Sequence, residues 1–312
     1  MRALIVGAGA VGGYFGGMLL NAGRDVTFLV QPQRHAQLAR DGLRIVDPSG
    51  EMTVAAPAVQ AGSVGGPYDL VLVALKHYAL ADAIEQIAPA VGPQTAILPV
   101  INGMRHIDEL SARFGEASML AGTAMISATV DDEGRIVLLV PNPRLLTFGE
   151  LNGGRSARVS ALEAFLSDAD FQVSVSEHGR HELWAKWCNL AAFAATTCLM
   201  RGSLGDIAKA PGGRGFLMQA LMECVAVADA SGYALGRSWI DAKATWITSG
   251  LNAAASMLRD MERGAATEGD HILGDLVARA DAAGVATPLL SLARCHVSTY
   301  EIRRQREKQM AN

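Results

Sequence analysis

The chain has 312 residues, half of them hydrophobic, and a formal net charge of −4. That length suits two domains of ordinary size, and the mild acidity lacks the basic footprint of a nucleic-acid binder. The nearest approach to a membrane span, residues 183–200, is interrupted by Lys186 and Asn189 and reads as a buried domain helix, so no membrane association is expected. Cys188, Cys198, Cys224 and Cys295 show neither C-x-x-C spacing nor a disulfide framework, which fits a reducing, cytoplasmic setting. Arg2 followed by apolar residues superficially resembles a signal peptide. The apolar part is short, however, and runs straight into a glycine motif that cleavage would destroy.

That motif organises the first part of the chain. Ala3 to Val6 form an apolar strand, and Gly7, Gly9 and Gly12 follow at G-x-G-x-x-G spacing. A helix over residues 10–22 comes next, closed by Gly23, and Val26 to Val30 complete a βαβ unit. Gly7 allows a tight turn, Gly9 lets the backbone approach a pyrophosphate, and Gly12 lets the helix sit close to the strand. The helix N-terminus offers unpaired N–H groups to phosphates. Gly7, Ala8, Gly9, Ala10, Val11 and Gly12 are therefore read as a dinucleotide-binding loop. An acid at the end of the second strand would bind an NAD ribose. Here Gln31-Pro32-Gln33-Arg34 carries none, and Arg34 is placed to meet a 2′-phosphate, which favours NADP, used as NADPH.

A helix around Arg34 to Arg40 precedes two short strands, Leu43 to Val46 and Met52 to Ala55, with a turn at residues 47–50. Tyr68 to Leu75 is a fully apolar strand of the kind buried in parallel sheets. A helix from Tyr78 to Ile87 and a strand from Thr95 to Val100 continue the β–α–β rhythm of a doubly wound sheet. Residues 118–149 are expected to extend that sheet with antiparallel strands, Asp131 to Gly134 forming a hairpin turn. A helix over 157–168 and a strand from Gln172 to Ser176 finish the first domain. Strand signals then vanish and helical periodicity runs on, broken near Pro211 to Gly213, Ser231-Gly232 and Gly284 to Pro288. The expected class is α/β: a Rossmann-type doubly wound sheet, residues 1–176, followed by an all-helical second domain, residues 177–312. The active site is expected in the cleft between them. The polar tail from Arg303 to Asn312 is expected to fray.

Hydride transfer needs a proton donor for the developing alkoxide and groups that orient the substrate. Asn102-Gly103 follows a strand at the end where ligands bind in such sheets, and Asn102 reads either as a ligand for nicotinamide or substrate or as an ordinary Asn-Gly turn. Lys186, flanked by Trp184 and Trp187 on a long apolar helix, would be desolvated towards a useful acid, in preference to a surface pair with Glu182. Ser256 and Asp260 lie one turn apart; Glu268 could accept from a substrate hydroxyl, but Thr267 to Asp270 resembles a capping box and on spacing alone that reading is preferred. Lys76 ends its strand near the cofactor or merely in solvent. His178 and His181 are not in zinc-binding order and lack a third ligand, so no metal site is expected.

Taken in order, the Gly7 to Gly13 fingerprint, Asp69 to Lys76, Asn102-Gly103, Leu183 to Lys186, Ser256 to Asp260 and Thr267-Glu268 resemble the ketopantoate reductase (2-dehydropantoate 2-reductase) family, from residue 1 to about residue 300. The resemblance implies NADPH-dependent reduction of 2-oxopantoate to pantoate, in the route to pantothenate. It implies that Lys186 is the general acid, that Glu268 orients the substrate, overturning the capping preference, and that Asn102 and Ser256 bind cofactor or substrate. Some positions depart from the family pattern. The asparagines four and eight residues after the lysine are Leu190 and Ala194, with Asn189 one place off and expected on another face. An asparagine three before the serine is Ala253, and the frequent arginine after the second strand is Gln31, so Arg34 would take its role at the cofactor. The leading expectation is therefore an NADPH-dependent reductase of a branched 2-oxo acid. Ketopantoate is the first candidate and a bulkier or less polar 2-oxo acid the alternative; a non-catalytic NADP-binding regulator is disfavoured by Lys186 and Glu268. The apolar helical domain leaves room for a homodimer.

Overall fold

A computed structural model of the chain describes residues 1–311, so Asn312, the last residue of the tail expected to fray, lies outside them. By internal contacts the chain divides into two compact units, residues 1–101 with 106–182, and residues 102–105 with 183–312.

In the first unit β1 (Arg2–Val6), α1 (Ala10–Asn21), β2 (Asp25–Leu29), α2 (Pro32–Asp41), β3 (Leu43–Asp47), β4 (Gly50–Val54), β5 (Ala58–Val59), β6 (Leu70–Val73), α3 (Leu80–Ile87) and β7 (Ala96–Pro99) follow in order. β5, β2, β1, β6 and β7 form a wholly parallel sheet in that spatial order. Ala3 to Ile5 and Leu70 to Val73 are completely buried, as continuous apolar runs in a sheet covered on both faces must be. The expected Rossmann-type topology is present.

The later strands do not extend this sheet. After α4 (Arg105–Phe114) come β8 (Leu120–Met125), β9 (Ala128–Val130), β10 (Ile136–Leu138), β11 (Leu145–Glu150), α5 (Ala157–Leu166) and β12 (Gln172–Val175). β4, β3, β10 and β9 make one separate sheet, and β12, β11 and β8 another, tied to the parallel sheet by a lone bridge from Ile97 to Met119. The reason lies in α1. Its glycines come in pairs four apart: a Cβ on Gly16 would press on Phe28, whereas one on Gly13 or Gly17 would press on Ile136 or Ile45. The helix thus carries two bare stripes, one against the parallel sheet and one against the second sheet. The hairpin at Asp131 forms as expected, its carboxylate accepting from the N–H of Glu133 and of Arg135.

The second unit is helical. The division falls inside α6 (Gly179–Met200), after Glu182. α7 (Leu204–Lys209), α8 (Gly213–Ala230), α9 (Arg237–Ile247) and α10 (Ser256–Glu262) follow. A π-helical turn, Asp270–Gly274, then runs straight into α11 (Asp275–Ala283), and α12 (Pro288–Ala311) ends the chain. Gly212, Ser231 and Gly284 stand at helix ends and Pro288 opens α12, where the sequence placed its breaks. The tail does not fray among the described residues: α12 continues to Ala311, helped by Arg304 paired with Glu301 and Arg303 with Glu307 one turn apart. Among the described residues no helix is long and apolar enough to cross a membrane.

Candidate active site

The glycine loop bounds a cavity of about 450 Å³ in the first unit. Gly7, Ala8 and Gly9 form one wall, Gln31, Gln33, Arg34 and Gln37 a second, and Leu75, Ala79 and Asp82 a third. Gly7 has φ +97°, a conformation open to glycine, and makes the turn out of β1. A Cβ on Gly12 would stand 2.2 Å from the Gly7 carbonyl oxygen, so only glycine lets α1 start this close to the strand. Around Gly9, by contrast, a Cβ would meet nothing within 4 Å: its space is kept free of protein. Ala10, Val11 and Gly12 are the first turn of α1, whose N–H groups have no earlier carbonyl in the helix to bond.

Arg34, on the first turn of α2, is the cation of this cavity. Its Nε donates to the Ala8 carbonyl at 3.1 Å, and its Nη1 donates to the Gly134 carbonyl and to Gln37 Oε1, both at 2.7 Å. Its Nη2 is buried and has no hydrogen-bond partner. Burial pushes the guanidinium below its ordinary value, and the three acceptors just named are uncharged. A half-buried cation with an open donor, facing a cavity with no acid at the end of β2, fits an anionic ligand group. Gln37, one turn beyond Arg34, was not singled out from the sequence. Its amide nitrogen donates to the Glu133 carbonyl, so the hairpin after β9 braces this wall of the cavity. Lys76 stands at the carboxyl end of β6, between the lining residues Leu75 and Ala79.

The other candidates lie in the second unit, and a short run of hydrogen bonds explains how residues far apart in sequence meet. Trp187 Nε1, beside Lys186, donates to the Ile272 carbonyl at 3.0 Å, and the Ile272 N–H donates to the Glu268 carbonyl at 2.9 Å. This ties α6 to the π turn and seats Glu268 so that its charge acts on Lys186. Glu268 is only 6 % exposed. The Lys186 side chain keeps part of its surface open, yet its ammonium is largely surrounded by protein. Burial lowers the Lys186 pKa from 10.5 to about 8, with the Glu268 carboxylate pulling the other way. Glu182, the surface partner considered for Lys186, instead accepts from Ser176 Oγ.

The expected capping box at Thr267 does not form. Thr267 N–H donates to Glu301, its hydroxyl accepts from Gly269 N–H, and Asp270 pairs with Arg105 at 2.9 Å. Without a box to close, the chain turns π-helical and Glu268 stays outside it. Asn102 is held against the same turn: Gly103, at φ +89°, packs so closely on the His271 ring that a Cβ there would stand 2.6 Å from Nε2. The left-handed position is Gly103, not Asn102, so local backbone preference does not account for the asparagine.

Ser256 opens α10, and the preceding Ala255 N–H donates to Thr197 Oγ1, three turns along α6 from Lys186. Between Leu183 and Cys198 the partly exposed residues of α6 are Lys186, Asn189, Leu190 and Phe193; all others are buried. Asn189, expected on another face, therefore shares the open strip with Lys186, because three residues return nearly one full helical turn. Its amide oxygen is buried without a hydrogen-bond partner. Ala194 is 1 % exposed and belongs to the core. Among the described residues no cluster of three or more metal-ligating side chains occurs.

Comparison with known proteins identifies the family. The family model described as Ketopantoate reductase PanE/ApbA matches residues 3–153, and that of its C-terminal part matches residues 179–301. The chain is 35 % identical over 302 residues to the uncharacterized oxidoreductase YkpB of Bacillus subtilis, covering 96 % of this chain and 99 % of that one. It is 29 % identical to a 2-dehydropantoate 2-reductase of Halobacterium salinarum, covering 93 % and 95 %. The fold also matches a ternary structure of D-mandelate dehydrogenase with NADH and anilino(oxo)acetate, with TM-score 0.88, 21 % identity and coverage of 98 % and 100 %. The chain is an oxidoreductase that belongs to the ketopantoate reductase PanE/ApbA family.

Proposed function

We propose that the protein reduces a 2-oxo acid to the 2-hydroxy acid with NADPH. A nicotinamide dinucleotide, when bound, supplies the hydride. The residues suited to hold it are Gly7 to Gly12 with the α1 N-terminus for the pyrophosphate, Gln31 and Arg34 for the adenosine ribose and its phosphate, and Lys76 and Asn102 nearer the nicotinamide end. The buried open donor of Arg34 and the lack of an acid at the end of β2 favour NADPH over NADH.

In this reading Lys186 gives its proton to the C2 oxygen of the substrate as that carbon becomes tetrahedral. The single observation that carries the proposal is the burial of its ammonium beside buried Glu268, which brings its pKa down to about 8. Such an ammonium is charged at neutral pH and loses its proton far more readily than a surface lysine. Glu268 keeps that charge in place and takes the product or substrate hydroxyl as an acceptor, and Ser256 donates to the substrate. The family and the Halobacterium relative point to ketopantoate, and with it to pantothenate formation. A second reading, reduction of another 2-oxo acid, is favoured by Leu190 on the open strip of α6.

The test is NADPH oxidation with ketopantoate and a set of other 2-oxo acids, with NADH as the control. Selective turnover of one of these acids with NADPH is expected, and Lys186→Ala should abolish most of it while NADPH binding is kept. Full turnover by Lys186→Ala would remove the lysine from its role. NADPH binding without turnover of any 2-oxo acid would point to a regulator.

A further inference from the structure

The open strip of α6 says what kind of side chain the substrate carries. Resting on the reading of Lys186 as the proton donor, the substrate must lie along the residues that share its exposure. These are Asn189, Leu190 and Phe193, at spacings of three, four and seven, which makes one continuous stripe of the helix. Leu190 and Phe193 are both hydrocarbon, and each is partly exposed although between Leu183 and Cys198 every residue but these two, Lys186 and Asn189 is buried. Phe193 is held edge-on by Trp246 of α9, ring centroids 5.2 Å apart, so it is a fixed wall and not a loose surface ring. Trp246 is itself partly exposed. Thr197, the next residue of the stripe, is turned inward, its hydroxyl donating to the Phe193 carbonyl and accepting from Ala255 N–H. Asn189, about 100° round the helix from Leu190, borders Phe193 from the turn before, with its amide oxygen buried.

We propose that Leu190 and Phe193, backed by Trp246, form the side-chain subsite, and that the protein prefers 2-oxo acids whose side chain is a bulky branched or aromatic hydrocarbon over those, like ketopantoate, that carry a hydroxyl there. A hydroxyl placed against Leu190 and Phe193 gives up its water and gains no partner from either hydrocarbon side chain. An apolar subsite discriminates against such an added hydroxyl by roughly ten- to hundredfold.

A matched pair tests this: ketopantoate and 3,3-dimethyl-2-oxobutanoate, which differ by that hydroxyl alone, with phenylglyoxylate as the aromatic member. At saturating NADPH the unaltered enzyme should show kcat/KM at least about tenfold higher for the two hydrocarbon acids than for ketopantoate. Leu190→Asn, which restores an amide four residues after Lys186, should move the ratio within the matched pair at least about tenfold towards ketopantoate. Phe193→Ala should raise KM for phenylglyoxylate more than for ketopantoate. A preference of less than tenfold, or one for ketopantoate, in an enzyme that does reduce these acids overturns the subsite while leaving the reductase standing. Failure to reduce any of the three overturns both.

Discussion

Glu268 holds up the charge that burial takes from Lys186, and the balance leaves the ammonium at about 8. The two residues are 82 positions apart in the sequence, and Glu268 comes within electrostatic reach of Lys186 where Trp187 bonds the π turn that follows it. In the direction of reduction, kcat/KM should be flat below pH of about 8 and fall by about tenfold per pH unit above it, as the acid form is lost. Glu268→Gln removes the attraction that raises the lysine, so the break should move to lower pH. A pH–rate profile of both proteins checks this, and a break that stays put or moves up contradicts the coupling.

The same shift has a consequence for stability. The unfolded lysine keeps its proton to near 10.5 and the folded one releases it at about 8, so between these values the unfolded state binds more protons. Stability should therefore rise across that window in the unaltered protein relative to Lys186→Met. Urea midpoints of the two proteins at pH 7 and pH 9.5, taken as roughly the two sides of the folded transition, give the sign directly.

Gly9 and Gly12 should separate binding from folding. Gly12→Ala places a methyl 2.2 Å from the Gly7 carbonyl oxygen and 2.9 Å from Ala74 Cβ, and should cost at least about 1–3 kcal/mol of stability by overpacking. Gly9→Ala adds its methyl where nothing stands within 4 Å, so its melting temperature should be unchanged while NADPH affinity falls by about tenfold or more. Thermal unfolding and a fluorescence titration of NADPH on each variant make the comparison. Equal NADPH affinity in Gly9→Ala would mean that no pyrophosphate passes there.

Arg34→Gln should weaken NADPH by about tenfold, the worth of one charge-assisted contact, and NADH much less. The ratio of the two dissociation constants is the deciding quantity, because Arg34 also ties Ala8 to Gly134 and its loss loosens the loop for either cofactor.

Glu223, only 7 % exposed on α8, accepts from the N–H of Leu289 at 3.1 Å and of Leu290 at 3.0 Å, the first turn of α12. Glu223→Ala leaves both donors unpaired in a buried place and should lower stability by about 1–3 kcal/mol, measured by denaturant unfolding. Glu223→Gln, which keeps one acceptor oxygen, should recover part of it.

The βαβ start, the parallel strands and the helical second half were legible in the sequence because each is written in local signals: apolar runs, glycine spacing, breaks at Gly212, Ser231 and Gly284. The expectation of NADP rests on an equally local feature, Arg34 with no acid beside it, and awaits the binding comparison above. The separate sheets were not legible, since the second pair of glycines on α1 acquires meaning only when Ile45 and Ile136 arrive opposite it. Nor was the environment of Glu268. Taken alone, Thr267 to Asp270 favours a helix cap, and it took Glu301 claiming the Thr267 N–H and Arg105 claiming Asp270 to leave Glu268 near the lysine. Asn189 lies about 100° round α6 from Leu190, yet both border the open strip, because spacing on a helix says which residues adjoin, not which of them the rest of the fold leaves open. Local sequence set the elements and the chemistry available in them; tertiary packing alone decided which side chains lost their water and which charges came within reach of one another.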